Sequence, residues 1–236
     1  MTESRTAPQP HSHHLRVQRT ARYFTLGGES GVPRTIWFVL HGHGQLAGQF
    51  VRYFGDLADA DTLIVAPEAM NRYYLVSVDK KPARERPVGA TWMTREDRES
   101  EIADYVEYLE TLYNEVVGKN GSESPAVVNV VGFSQGAATA TRWVTHGSAR
   151  IDRLVLWGGL LPPETELQPG TALRNVPLTL IVGNRDQYIT EAMVANERAR
   201  LDGASVPYEF LGFDGGHVVS RSVFPRLRAL SVVSDR

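Results

Sequence analysis

The chain has 236 residues, of which 42% are hydrophobic, and a formal net charge of -2 at pH 7. This length suits one α/β domain with a sizeable core, and the nearly balanced charge, without a long basic run, argues against nucleic acid as a partner. The sequence contains no cysteine, which excludes disulfides, thiolate nucleophiles and sulfur-ligated zinc or iron sites, and fits a cytoplasmic location.

The first 14 residues are polar and rich in proline and histidine. They cannot bury enough apolar surface to offset the entropy of ordering them, so we expect a disordered tail over 1–14 and one α/β domain over 15–236. His11, His13 and His14 could bind a metal, but no carboxylate lies near them and a solvated tail is preferred. A signal peptide and a membrane-spanning run are both missing from the pattern, so we expect no membrane insertion.

Short apolar runs alternate with helical patterns along the rest of the chain. Strands are predicted at 15–26, 34–40, 62–66, 126–132, 153–157, 177–182 and 207–211. Helices are predicted at 48–59, 95–117, 134–146, 190–202 and 218–230, with Thr94 as the N-cap of the second one. The alternation indicates a mostly parallel sheet with helices on both faces. The segment 71–93, with prolines, basic residues and aromatics, is predicted to be a long loop that moves or binds something.

The stretch VVGFSQGAATA at 130–140 places Ser134 where a predicted strand meets a predicted helix. Gly132, Ser134 and Gly136 form the pattern G-x-S-x-G. Side chains at the two glycine positions would collide in so sharp a turn, while the serine is forced into a strained conformation that exposes its oxygen. The pattern therefore predicts a nucleophilic serine, although a turn of small residues chosen for packing would look similar.

A serine nucleophile needs a base and a group that orients the base. Asp186 follows the run 177–182, and His217 lies in the glycine-rich loop after 207–211. Both come after a predicted strand, at the edge of the sheet where loops converge. We therefore predict Ser134, Asp186 and His217 as the catalytic residues.

Three other residues are alternatives for these roles. Asp214 could orient His217, but it is only three residues away in the same loop, so Asp186 is preferred. Asp152 precedes a strand and is expected on the surface at the opposite end of the sheet. His146 ends the helix after Ser134, where a capping role is ordinary.

The first predicted strand of the parallel set runs into HGHGQ at 41–45. Its glycines would let backbone amides approach a ligand, so the amides of His43 and Gln135 are predicted to form an oxyanion hole. His41 is expected to be structural, and the imidazole of His43 could line the pocket. The H-x-H pair also suggests a metal, but no carboxylate is near in sequence and no metal is predicted.

These motifs together resemble the α/β-hydrolase superfamily and, within it, the phospholipase/carboxylesterase group of carboxylesterases and acyl-protein thioesterases. The matching parts are LHGHG at 40–44, GFSQG at 132–136, GNRDQYI at 183–189 and GGH at 215–217. The resemblance covers 34–230 and implies an α/β-hydrolase fold without a large lid or a cofactor. It also implies the triad and the oxyanion amides named above. The chain departs from the family pattern at His43, Ala137 and Thr190, where an apolar residue, glycine and proline are common.

The resulting functional expectation is a serine carboxylic-ester hydrolase that acts on small to medium acyl esters through an acyl-enzyme. Tyr73, Tyr74, Trp92 and Met93 are expected either to wall the substrate pocket or to pack the long loop on the core. A thioesterase, a lysophospholipase and a non-catalytic binding protein of the same fold remain alternatives. The expected partner is a small-molecule ester, and a homodimer stays open.

Overall fold

The computed structural model describes residues 10–76, 82–118 and 126–231. Residues 1–9 of the expected tail and 77–81 of the expected loop lie outside the described residues. The strands of the described part are β1 (Tyr23–Gly27), β2 (Thr35–Leu40), β3 (Thr62–Pro67), β4 (Asn71–Tyr74), β5 (Val88–Thr91), β6 (Val127–Phe133), β7 (Arg153–Trp157), β8 (Leu178–Gly183) and β9 (Tyr208–Phe213).

Seven of these strands form one sheet, in the order β1-β3-β2-β6-β7-β8-β9. Strand β1 runs antiparallel to β3, and all other neighbours in this sheet are parallel. Parallel strands bury both faces under helices, which explains why most of their residues are apolar. The predicted α/β class with a mostly parallel central sheet is confirmed.

The described helices are α1 (Ala47–Phe50), α2 (Arg98–Val117), α3 (Gln135–His146), α4 (Glu191–Gly203) and α5 (Phe224–Ser231). Helix α1 continues as a 3₁₀ turn at Val51–Leu57. The hydroxyl of Thr190 caps α4 by accepting the amide of Met193 at 3.3 Å, which gives this departure from the family pattern a local role. None of the described helices is long and apolar enough to cross a membrane.

The prediction that Thr94 caps the second long helix is wrong. Helix α2 begins at Arg98, after Asp97 in the left-handed region at a φ of 49°. The hydroxyl of Thr94 instead bonds to the backbone of Glu96, so that 94–97 forms a turn of its own. Because the local hydroxyl–backbone bonds compete with helix formation, the helix begins four residues after Thr94.

Two hydrophobic clusters pack on opposite faces of the sheet. Ile36 and Phe38 of β2 point into the cluster that contains Leu109 of α2. Trp37, between them, points into the cluster that contains Leu227 of α5. Alternate residues of one strand therefore serve different layers, and both layers exclude water from the strand.

Strand β1 is shorter than the predicted run 15–26, because residues 15–22 form neither helix nor strand. Arg16 pairs with Glu107 of α2 at 2.8 Å, and the hydroxyl of Tyr108 donates to the carbonyl of Arg22 at 3.1 Å. Arg22 pairs with Glu68 at 2.6 Å and Arg19 donates to the side chain of Asn71 at 3.1 Å, so the basic side chains of the segment have polar partners both on and outside α2.

The segment predicted as one long loop contains a hairpin instead. Strands β4 and β5 pair antiparallel, with Asn71 opposite Thr91 and Tyr74 opposite Val88. Each strand has only four residues, which is too short for a clear alternation of apolar and polar positions. Ala90 of β5 also bridges to Gln45, so the hairpin lies against the loop that follows β2.

The turn from β6 to α3 brings backbone against backbone. A Cβ on Gly132 would lie 2.2 Å from the carbonyl oxygen of Gly136, and one on Gly136 would lie 2.2 Å from that of Leu40. Real side chains do not tolerate such distances. Only glycine at both positions allows the helix to start so close to the sheet.

Replacing Gly132 with alanine should therefore lower the free energy of unfolding by at least about 2 kcal/mol, because the new methyl group forces α3 away from β6. Urea unfolding followed by circular dichroism measures the change. Gly212→Ala in β9 is the matched control, since its methyl would lie 3.6 Å from a ring carbon of Phe210, and it should shift stability by less than about 0.5 kcal/mol. Equal losses in both variants would contradict the steric argument.

Candidate active site

The three residues predicted to be catalytic follow three strands of the sheet. Ser134 comes directly after β6, Asp186 follows β8 and His217 follows β9. These strands belong to the parallel series β6-β7-β8-β9. Their carboxyl ends therefore lie at one edge of the sheet, where α/β proteins bind their ligands.

Ser134 adopts a conformation that is rare for a residue with a side chain, with a φ of 55° and a ψ of -118°. Its amide donates to the carbonyl of Trp157 at 2.9 Å, and its carbonyl accepts the amide of Ala137 at 3.0 Å. Such a conformation costs on the order of 1–3 kcal/mol and persists only when the surroundings impose it. The two glycine contacts and these hydrogen bonds impose it here.

His217 and Asp186 form a hydrogen-bonded pair. The Nδ1 atom of His217 lies 2.8 Å from Oδ2 of Asp186, whose side chain is only 1% exposed. The other carboxylate oxygen accepts the amides of Tyr188 and Ile189 at 2.8 and 2.9 Å. A buried carboxylate needs such partners, and here they also fix which way it points.

Two aromatic rings flank the imidazole. The centroid of the His217 ring lies 4.9 Å from that of Phe133 and 4.8 Å from that of Tyr188. Phe133 directly precedes Ser134 in the chain. A Cβ on Gly158 would lie 3.1 Å from Cε1 of His217 and 3.3 Å from the Phe133 ring. The imidazole is therefore enclosed on the side of the serine turn.

The loop at 41–45 lies against the serine, because a Cβ on Gly42 would be 3.1 Å from Cβ of Ser134. The amide of Gly42 donates to Oε1 of Gln45 at 2.8 Å, and that of Gly44 donates to the carbonyl of Ala90 at 2.8 Å. Between them, the amide of His43 donates to no group among the described residues. It is thus available to a ligand.

The amide of Gln135 is the second predicted oxyanion donor. Gln135 is the first residue of α3, and the first amides of a helix have no carbonyl partner within the helix. The positive end of the helix dipole adds to their preference for a negative charge. Of the two predicted donors, Gln135 follows Ser134 in the chain, and His43 belongs to the loop that lies against Ser134.

His41 is part of the buried core. It is fully buried, and its Nδ1 donates to the carbonyl of Gly42 at 2.8 Å while Nε2 accepts the amide of Ala69 at 3.1 Å. Burial lowers the pKa of His41, although the Gly42 carbonyl and the Glu68 carboxylate act in the opposite direction. The neutral ring satisfies both backbone groups, which fits the expected structural role.

The side chain of His43 contacts the hairpin. Its Nε2 lies 2.6 Å from the hydroxyl of Tyr73, and its Nδ1 lies 3.2 Å from Oγ1 of Thr91. Thr91 also contacts the side chain amide of Gln135. Thr91 has no signal in the sequence, because it lies in the segment predicted to be a loop.

The four residues expected to wall a substrate pocket do not form one wall. Tyr73 lies beside His43, but Tyr74, its neighbour on β4, points to the other face of the hairpin and is 53% exposed. Trp92 is only 2% exposed and donates from Nε1 to the carbonyl of His41. Met93 packs against the core. Trp92 and Met93 therefore take the second of the two roles expected for them and pack the segment on the core, and Tyr74 does not share a wall with Tyr73.

The alternatives weighed from the sequence are placed elsewhere. Asp214 pairs with Arg185 at 2.5 Å and is 73% exposed at its side chain. Asp152 accepts the amide of Val128 at the amino end of the sheet, and His146 is exposed at the end of α3. None of them contacts His217.

One histidine of the tail region contacts a carboxylate. His14 lies 3.0 Å from Asp97. Over 10–76, 82–118 and 126–231, no group of three or more histidine, aspartate and glutamate side chains has an arrangement that could hold a metal ion.

Solved structures with a similar fold include hydrolases. They include esterase PE8, with 21% identity and a TM-score of 0.64 over 90% of this chain and 98% of that one. Zea mays acyl-protein thioesterase 2 has 17% identity and a TM-score of 0.64 over 89% and 97%. A carboxylesterase from Mesorhizobium loti has 16% identity and a TM-score of 0.65 over 89% and 93%. At these identities the likeness concerns the fold. Comparison with curated proteins finds no match.

A sequence model of the FSH1 serine hydrolases matches residues 38–223. The matched range includes the loop at 41–45 and all three predicted catalytic residues. Together with the fold, it confirms the resemblance to α/β-hydrolases of the phospholipase/carboxylesterase type. The protein is therefore an enzyme of the hydrolase class and belongs to the FSH1 family of serine hydrolases.

Proposed function

We propose that the protein is a carboxylic-ester hydrolase that forms an acyl-enzyme on Ser134. The observation that carries the proposal is the 2.8 Å hydrogen bond between His217 and the buried Asp186. It lies at the same edge of the sheet as a serine in a strained turn. A base that is oriented by an acid is what converts a weak hydroxyl into a nucleophile.

The hydrogen bond determines the protonation pattern of the imidazole. With a proton on Nδ1 donated to Asp186, the lone pair of Nε2 is left to accept the proton of the Ser134 hydroxyl. Attack on the ester carbonyl then gives a tetrahedral intermediate and an imidazolium. Asp186 stabilises that positive charge while remaining ionised.

The negative oxygen of the intermediate needs donors that are in place before the reaction. The amides of His43 and Gln135 are assigned this role, aided by the positive end of α3. His217 next protonates the leaving alcohol, and the acyl group stays on Ser134. A water molecule, deprotonated by the same imidazole, releases the acid and restores the enzyme.

The surroundings of His217 support small or medium esters as the proposed substrates. Tyr188 and Val218 next to it are 62% and 53% exposed, which provides an apolar rim for a small or medium acyl or alcohol group. Similar folds occur in proteins described as an esterase and as an acyl-protein thioesterase. A panel of oxygen esters and thioesters of increasing acyl length, with a lysophospholipid, decides among these activities.

Replacing Ser134 with alanine should abolish hydrolysis of a short p-nitrophenyl ester and labelling by a fluorophosphonate probe, because the nucleophilic oxygen is lost. Ser222→Ala is the matched control, since the hydroxyl of Ser222 bonds to Ser220 on the surface, and this variant should leave both signals unchanged. Labelling of Ser134→Ala at the wild-type rate would disprove the assignment. Absence of labelling in the wild type would favour the non-catalytic binding protein.

Replacing Asp186 with asparagine should lower kcat about 10³- to 10⁴-fold, because the amide no longer holds the proton of His217 on Nδ1. The change removes one charge and keeps the shape, so the folded protein should persist. Asp214→Asn tests the other acid of the same region and should change kcat by less than about twofold, since Asp214 pairs with Arg185 in solvent. Steady-state kinetics on the same ester measures both. A larger loss in Asp214→Asn than in Asp186→Asn would overturn the choice of acid.

A further inference from the structure

We propose that the β4–β5 hairpin positions the oxyanion hole, through a hydrogen-bonded chain that joins Tyr73, His43, Thr91 and Gln135. The inference rests on the proposed function, because it assigns a role to residues that act through the two oxyanion amides. It names Tyr73 and Thr91 as positioning residues. We call the four residues the polar chain.

The backbone of the hairpin pairs with the loop at 41–45. The amide of Gly44 donates to the carbonyl of Ala90 at 2.8 Å, and the amide of Ala90 donates to the carbonyl of Gln45 at 3.2 Å. A Cβ on Gly89 would lie 2.4 Å from the carbonyl oxygen of Gly44. Strand β5 therefore pairs with the loop at 41–45 as a neighbouring strand would, and the close contact at Gly89 restricts movement of the loop.

The side chains add a second connection with one consistent set of donors. The hydroxyl of Thr91 donates to the carbonyl of Met93 at 2.9 Å and accepts from Nε2 of Gln135 at 3.0 Å. Its remaining lone pair accepts Nδ1–H of His43 at 3.2 Å. The Nε2 of His43 then accepts the hydroxyl of Tyr73 at 2.6 Å. Burial raises the pKa of Tyr73, which keeps that proton on the phenol.

The other end of the polar chain is anchored at the start of α3. The side chain of Gln135 accepts the amide of Trp92 at 3.0 Å and donates to the carbonyl of Met93 at 2.8 Å. Thr91 thus connects the side chains of His43 and Gln135, the two residues whose amides are assigned to the oxyanion. The spacing of these amides is set before substrate arrives, which is the condition for efficient electrostatic stabilisation.

The same contacts argue against a direct role of the His43 ring as a base. Both ring nitrogens are engaged, by Tyr73 and by Thr91. Asp186 is bonded to His217 and to its own loop. The ring of His43 therefore connects the hydroxyl groups of Tyr73 and Thr91 by hydrogen bonds. An apolar side chain at this position could not form either bond.

The test uses Tyr73→Phe and Thr91→Val, which remove one hydroxyl each and keep the shape of the side chain. Each variant should make the positions of the His43 and Gln135 amides less fixed, which should cost less than the complete loss of one oxyanion donor. We therefore expect kcat for the short ester to fall about 5- to 30-fold, with KM within about twofold of the wild type. The affinity for a boronic acid, which forms a tetrahedral adduct with the serine, should fall in parallel. Because both variants break the same chain, the double variant should lose less than the product of the single losses.

Two matched controls remove hydroxyl groups away from the site. Tyr208→Phe loses a bond with Arg198, and Thr141→Val loses one with the carbonyl of Ala137 inside α3. Both should keep kcat and boronic acid affinity within about twofold of the wild type. Thermal unfolding of all variants checks that they are folded at the assay temperature.

A readout without turnover keeps this inference separate from the proposed function. Hydrogen exchange measured by mass spectrometry should be faster over residues 41–45 in Tyr73→Phe and Thr91→Val, and unchanged in the controls. If the wild type cleaved no ester, the proposed function would fail while this measurement still tested the positioning. Unchanged exchange and unchanged kcat would overturn the inference. So would a loss confined to KM, which would indicate that the hydroxyls contact the substrate.

Discussion

The architecture of the site depends on the contact between β6 and α3, where two backbones approach too closely for any side chain to intervene. Gly132 and Gly136 occupy that contact, and a Cβ on either would lie 2.2 Å from a carbonyl oxygen. The chain has to reverse around Ser134, which is left with a φ of 55°. This strain cannot relax unless the helix separates from the sheet. The position of the proposed nucleophile is therefore as rigid as the core beneath it.

A second constraint couples the loops after β8 and β9. Asp186 is almost completely buried, so both of its carboxylate oxygens need partners. Its own loop supplies two amides, and His217 from the next strand's loop supplies the third donor. The hydrogen bonds that compensate for burying the Asp186 carboxylate also orient the imidazole of His217. Stability and the proposed chemistry thus use the same hydrogen bonds.

The parts of the fold that the sequence predicted are those with a local physical signature. The run 126–132 lies almost entirely within β6 and is apolar except for Asn129, as expected of a parallel strand covered on both faces. The predictions failed where partners are distant. Residues 15–22 lie outside the sheet, where Arg16 pairs with Glu107 of α2 and Arg22 pairs with Glu68. Strands β4 and β5 form because they pair with each other and with the loop at 41–45, and four residues alone carry too little pattern.

The amino-acid sequence alone predicts the types of the proposed catalytic residues, their order along the chain and the sharp turn at Ser134. The glycine spacing and the strand–helix alternation encode these features locally. The folded structure is needed to show that Asp186 rather than Asp214 bonds to His217, that Trp92 belongs to the core, and that the ring of His43 contacts Thr91. These contacts join residues 31 and 48 positions apart. Their formation depends on how separate elements pack, which no local periodicity records.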